Sequence, residues 1–98
     1  MEEVNMILND KGEGGFIIRN EEKKIGEMVI SIAGDKLTVY HTEVLPEAEG
    51  KGLAKKMLET MVAYARRQQL KVIPLCPYVH AQFKRHPEKF EDIWNMTS

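Results

Sequence analysis

The feature that most constrains this chain is Gly50-Lys51-Gly52 and the sixteen or so residues that follow it. Past Gly52 the apolar residues fall at Leu53, Ala54, Met57, Leu58, Met61, Val62 and Ala65, the spacing of one buried helix face. Lys55, Lys56, Glu59, Thr60, Arg66 and Arg67 take the opposite, solvated face. Ahead of the glycines, Leu37 to Val44 alternates as a strand does. Pro46 ends its pairing because proline has no N–H to donate. Behind the helix, Leu70 to Leu75 is short and apolar, as a buried parallel strand should be. Strand, helix and strand predict a right-handed crossover unit over Leu37 to Leu75.

The first turn of a helix leaves its N–H groups without partners, and the macrodipole makes that end partly positive. Glycines remove the Cβ atoms that would hold an anion away from those donors. Lys51 and Lys55 add formal charge nearby. The stretch therefore reads as a seat for a phosphate or pyrophosphate, with an ordinary turn as the alternative. Two parallel strands end at the same edge of a sheet, and ligands of open sheets sit outside those carboxyl ends. The glycine turn leaves one strand and Cys76 leaves the other, so both are expected to open onto one cleft.

Upstream, Val4 to Leu8 reads as a first strand and Phe16 to Arg19 as a second. Asn9 to Gly15 between them is turn chemistry. Asn20 to Lys24 is a charged reversal. Ile25 to Ala33 is a third strand, with Met28, Ile30 and Ile32 on one face, and Ala33 to Lys36 is a hairpin signal. In the fourth strand, alternation puts Leu37, Val39 and His41 on one face and Thr38, Tyr40, Thr42 and Val44 on the other. Downstream, Tyr78 to His86 reads as a second helix, Pro87 interrupts it, and Glu88 to Trp94 reads as a further helical turn whose Phe90, Ile93 and Trp94 cover the core.

An antiparallel meander leading into one βαβ unit is an α+β fold, or α/β in the looser sense. The 98 residues are expected to form a single domain over 1–98, with a composition 43% hydrophobic and 30% charged that is ordinary for a globular chain. A net charge of −1 and the lack of a basic run argue against nucleic acid. No apolar stretch approaches the ~18 residues a membrane span needs, and no secretory leader is apparent. One cysteine permits no intrachain disulfide, so a cytoplasmic protein is expected.

Val44-Leu45-Pro46-Glu47-Ala48-Glu49-Gly50-Lys51-Gly52-Leu53-Ala54 resembles motif A of the GNAT superfamily of N-acetyltransferases. His41-Thr42-Glu43-Val44, Pro74 to Val79 and His86-Pro87-Glu88 are similar to the small GNAT-like members of about a hundred residues. The resemblance implies a mixed, mostly antiparallel sheet with a splayed parallel strand pair, truncated relative to typical members. It implies acetyl-CoA as cosubstrate, its pyrophosphate held near Gly50, Lys51, Gly52, Leu53, Ala54 and Lys55. Its pantetheine arm would pair with the strand backbone near Thr42, Glu43, Val44 and Leu45, with Cys76 and Phe83 lining the channel. An N–H of that strand would polarise the thioester carbonyl, and an amine would attack directly. Two positions depart from the pattern. Glu49 replaces a common arginine, and Phe83 lies near the position where many members carry a proton-donating tyrosine. Tyr78, Cys76 or water would then serve. The missing helices between the first two strands leave the acceptor side open, which favours a macromolecular amine. A monomer or weak dimer is expected.

Three residues are candidates for chemistry. Cys76 could donate a proton, take the acetyl group, or simply pack. Tyr78 could protonate a leaving thiolate. His41 could be a general base or a hydrogen-bonded core residue. His86, before Pro87, could cap the helix or approach the adenosine end of CoA, with the structural role preferred. Cys76, His80 and His86 match no common zinc spacing, and no metal is expected. The leading reading is an acetyl-CoA-dependent N-acetyltransferase acting on a primary amine. The rivals are a CoA-binding sensor or subunit with little turnover, and a generic nucleotide-phosphate binder.

Overall fold

The structure is a computed structural model that describes residues 3–96. Its elements are β1 (Val4–Leu8), β2 (Glu13–Asn20), β3 (Lys23–Ala33), β4 (Lys36–Val44), a 3₁₀ turn (Pro46–Ala48), α1 (Leu53–Gln68), β5 (Lys71–Pro74), α2 (Pro77–Arg85) and α3 (Pro87–Phe90). They form one five-stranded sheet in the order β1-β2-β3-β4-β5. The first four strands pair antiparallel as a meander, and β5 lies parallel to β4. This is the expected α+β fold, with its crossover carried by α1. No helix among the described residues is long and apolar enough to cross a membrane.

The helical face read from the sequence is the face α1 buries. Leu53, Met57, Leu58, Met61, Val62 and Ala65 are all buried. They meet Phe16, Ile18, Met28, Ile30, Leu37 and Val39 from the sheet in one apolar cluster. Val79 and Phe83 of α2 join that cluster, as do Phe90 and Ile93. Burying such side chains stabilises by roughly 1.5–3 kcal/mol each before the entropy cost of ordering them.

Three readings need correction. The reversal after β1 is shorter than Asn9 to Gly15. The Asn9 side chain accepts hydrogen bonds from the N–H groups of Lys11 and Glu13 and closes the turn within four residues. Gly14 and Gly15 then lie inside β2, where a Cβ on Gly15 would sit 2.4 Å from the Met28 carbonyl oxygen. At the other end of the chain, Trp94 is not helical. It bridges in parallel to Val72, whose N–H donates to Ile93 O and whose carbonyl accepts from Asn95 N–H. The C-terminal segment thereby satisfies the outer edge of β5.

The third correction concerns His41. The β3–β4 register slips between Val29 and Ile30, which oppose His41 and Val39, so Tyr40 is an extra, bulged residue. One inserted residue flips the alternation. Leu37 and Val39 face the core before the bulge, and Thr42 and Val44 face inward after it. His41 is exposed on the opposite face rather than aligned with Leu37 and Val39.

Candidate functional site

The chain leaves β4 at Val44 and spends the Leu45 N–H on the Ile25 carbonyl, at 3.0 Å. Pro46 opens the 3₁₀ turn, and Ala48, 3% exposed, plugs it into the core. Gly50 and Gly52 then adopt φ of 87° and 73°, left-handed conformations that cost other residues about 1–2 kcal/mol. A Cβ added to either would meet nothing within 4 Å, so the space above both glycines is open. Gly52 caps α1 without a side-chain hydrogen bond, and the first turn of α1 carries no acidic residue. The N–H groups of Leu53, Ala54 and Lys55 are therefore left for an outside acceptor.

Beside this turn the sheet splits. Pairing of β4 with β5 ends at Val39 and Pro74, and its last link is the Cys76 N–H donating to Val39 O at 2.9 Å. Pro74 has no N–H with which to continue the ladder. From Tyr40 to Val44, β4 runs on with no strand on that side. Because Leu45 N–H points to Ile25, the amides of Val44 and Thr42 follow strand alternation and point toward the vacated edge. Across the split, Thr42 Oγ1 and Cys76 Sγ lie 3.3 Å apart. Cys76 is 1% exposed.

A cavity of about 290 Å³ joins these parts, lined by Val44, Gly50, Gly52, Leu53, Ala54 and Tyr78 among others. A second, of about 390 Å³, lies between α1, α2 and α3 and shares Lys55 and Tyr78 with the first. Together they make one groove running from the split over the N-terminus of α1. Tyr78 sits at the junction. Burial pushes its phenol above the usual value of 10.0, with the negative charge of Glu59 adding to the effect. Tyr78 therefore stays protonated, and a donor, through the neutral range.

The structure gathers Thr42, Val44, Gly50, Gly52, Leu53, Ala54, Lys55, Cys76 and Tyr78 around this groove and split. Lys51 is exposed between the two glycines, and Glu49 lines the first cavity with its side chain in solvent. Other expected residues lie elsewhere. Phe83 is fully buried, stacked on Phe90 at 4.6 Å and edge-on to Trp94 at 5.6 Å, and it faces neither cavity. His41 and Glu43 point to the far side of the sheet. Among the described residues no group of three or more His, Cys, Asp or Glu could hold a metal, and His80 instead lies edge-on to Trp94. Gln82 and Lys89 on the wall of the second cavity went unread in the sequence. They belong to two short helices whose relative placement no local pattern specifies.

Comparison with known proteins agrees with this geometry. The family model described as GCN5-related N-acetyl-transferase matches residues 15–93. No curated protein matches the sequence. Among solved structures, a GCN5-like protein from Staphylococcus aureus aligns with a TM-score of 0.67 at 23% identity, covering 92% of this chain and 86% of that one. The ribosomal-protein-alanine N-acetyltransferase from Brucella melitensis biovar Abortus 2308 aligns with a TM-score of 0.62 at 18% identity, covering 82% and 62%. The ribosomal-protein-S18-alanine N-acetyltransferase from Escherichia coli aligns with a TM-score of 0.61 at 15% identity, covering 67% and 43%. At these identities the likeness is one of fold. The chain spans less than two thirds of the length of the last two enzymes.

Proposed function

The chain belongs to the GCN5-related N-acetyltransferase family, and on that premise we propose that it binds acetyl-CoA and transfers the acetyl group to a primary amine. One observation carries the reading: two left-handed glycines with open space above them, at the uncapped start of a sixteen-residue helix, beside a cavity that leads to the split sheet. A cradle that a Cβ would fill fits a pyrophosphate. Gly50 and Gly52 let it approach, the N–H groups of Leu53, Ala54 and Lys55 donate to its oxygens, and Lys55 adds to the field. The open edge of β4 offers the Thr42 and Val44 amides to an amide-bearing arm. Acetyl-CoA supplies an acetyl group activated as a thioester.

This chain's residues supply position and charge. An amide of β4 aimed into the split stabilises negative charge on a carbonyl oxygen held there. Tyr78, kept neutral by burial, is the group we assign to protonate a departing thiolate. Cys76 closes the inner end of the split against Thr42. To His41, exposed on the far face, we assign the role of taking a proton from an amine that arrives on that side.

Calorimetry with CoA, acetyl-CoA and ATP tests the first half of the reading. CoA and acetyl-CoA should bind and ATP should not, and equal binding of all three would leave only a phosphate seat. Thiol release from acetyl-CoA with a panel of amines tests the second half. Binding without any amine-dependent release would make the protein a coenzyme-binding module instead.

A further inference from the structure

Helices cover only one side of the sheet. The molecule is 20 Å thick, the depth of one sheet and one helix layer. On the bare side, the register sets Ile7, Gly15, Val29 and His41 in one row across four strands. Ile7 is 49% exposed, and Tyr40 at the bulge is 45% exposed. Gly15, buried in the sheet, contributes no side chain between Ile7 and Val29. The next row carries Asn5, Ile17, Glu27 and Glu43.

Glu27 and Glu43 stand directly opposite each other, and like charges so placed destabilise a sheet. Lys24 lies 2.9 Å from Glu27, whereas Glu43 has no ion-pair partner among the described residues. Both line a cavity of about 80 Å³ with Lys24, Ile25, Gly26 and Leu45. Within the fold Lys24 offsets Glu27, and among the described residues Glu43 is the carboxylate of the two left without an ion-pair partner. The Tyr40 bulge turns Glu43 and His41 onto this face, beside the edge of β4 that leads through the split to Thr42 and Cys76.

We infer that this bare face docks the acetyl acceptor, and that the acceptor is a basic peptide. The inference rests on the acetyl-transfer reading above. An ammonium group seats against Glu27 and Glu43, and apolar side chains of the same segment lie along Ile7, Val29 and Tyr40. Charge complementarity selects a cation. The apolar side chains reach from Tyr40 on β4 to Ile7 on β1, two strands beyond the carboxylates, which is more surface than a small amine would cover.

The test uses a ten-residue peptide with a free α-amine, two lysines and alternating valines, labelled at its C-terminus, and its twin with glutamates for lysines. Fluorescence anisotropy reads binding without coenzyme, and thiol release reads transfer. The basic peptide should bind and the acidic twin should not, with binding weakening as salt rises. Glu27→Gln and Glu43→Gln should each weaken it about two- to fivefold, as exposed charge pairs do. Glu43→Gln should raise the melting temperature, since it removes repulsion without breaking an ion pair, whereas Glu27→Gln also gives up the contact with Lys24; both should leave CoA affinity unchanged. Equal binding of both peptides, or no effect of either variant on binding and transfer, would overturn the proposal. So would sedimentation showing a dimer that Tyr40→Lys dissociates, because the face would then belong to a second copy. A basic peptide that binds to a protein giving no heat with CoA would sink the acetyl-transfer reading and still support the docking surface.

Discussion

The hydroxyl of Thr42 and the thiol of Cys76 meet at 3.3 Å across the gap where β4 and β5 separate, thirty-four residues apart in the chain. The contact bridges two strands that no longer share a ladder, at the inner end of the groove. Cys76→Ser keeps a polar partner for Thr42 and should change stability little. Cys76→Ala and Thr42→Val should each lower it by about 1 kcal/mol, the net worth of one such hydrogen bond. The double variant should cost less than the sum, because both singles remove the same contact. Urea melts of the parent and the four variants measure this. At 1% exposure the thiol should also react slowly with Ellman's reagent until the protein unfolds.

Three glycines with positive φ and open space separate a structural effect from a binding one. Gly34 in the β3–β4 hairpin has φ 60°, and a Cβ there also meets nothing within 4 Å. Gly34→Ala, Gly50→Ala and Gly52→Ala should therefore each cost about 1–2 kcal/mol of stability. Only the latter two should lose CoA affinity, by about tenfold or more, or ~1.4 kcal/mol. Gly52→Asp should lose more, since it sets a carboxylate beside the diphosphate. Calorimetry that finds equal affinity in the Gly34 and Gly52 variants would remove the glycine turn from the site.

The long elements were legible because their periodicity reports burial on a single face. The α1 stripe and the β4–α1–β5 crossover needed nothing else. Readings failed where one residue changed the phase or a glycine served packing rather than turning. No local signal marks Tyr40 as a bulge, so alternation carried His41 to the wrong face. Gly14 and Gly15 look like turn residues, yet they occur in β2 because neighbouring backbone leaves no room for a Cβ. The family resemblance implies Phe83 near the channel, but its partners Phe90 and Trp94 arrive from a later segment and enclose it. Trp94 shows the same limit, because its bridge to Val72 depends on tertiary placement and its own segment reads as helix.

Acid should loosen the C-terminal segment first. Arg66 on α1 donates to Asp92 at 2.9 Å and to the Lys89 carbonyl at 2.6 Å, tying the helix to the stretch after α3. The hydrogen bond from Arg66 holds the Asp92 carboxyl below its usual 3.8. A carboxyl depressed in the folded state contributes stability that is present above its unfolded value and lost as pH falls through the folded one. The loss should therefore fall below pH 3.8. Asp92→Asn should lower the melting temperature at pH 7 by a small amount, since the pair is about half exposed, and should flatten the decline below pH 3.8. An unchanged acid limb would place the sensitivity at other carboxylates, such as Glu47 beside Lys23.

Tyr78 tests the proposed chemistry apart from binding. Its phenol lines both cavities and is raised above 10.0 chiefly by burial. As the assigned proton donor it should matter for turnover and little for CoA affinity. Tyr78→Phe keeps the ring and removes the proton, so kcat should fall about tenfold to a hundredfold, the lower part of the range for general acid catalysis. CoA affinity should stay within about twofold of the parent. The folded state holds this proton more tightly than the unfolded one, so the associated stability is complete below pH 10 and is lost as pH rises through the folded value. Activity limited by the phenol should likewise persist to pH 10 before it declines. An alkaline limb well below pH 10, or a Tyr78→Phe variant with unchanged kcat, would show that water or another group protonates the thiolate.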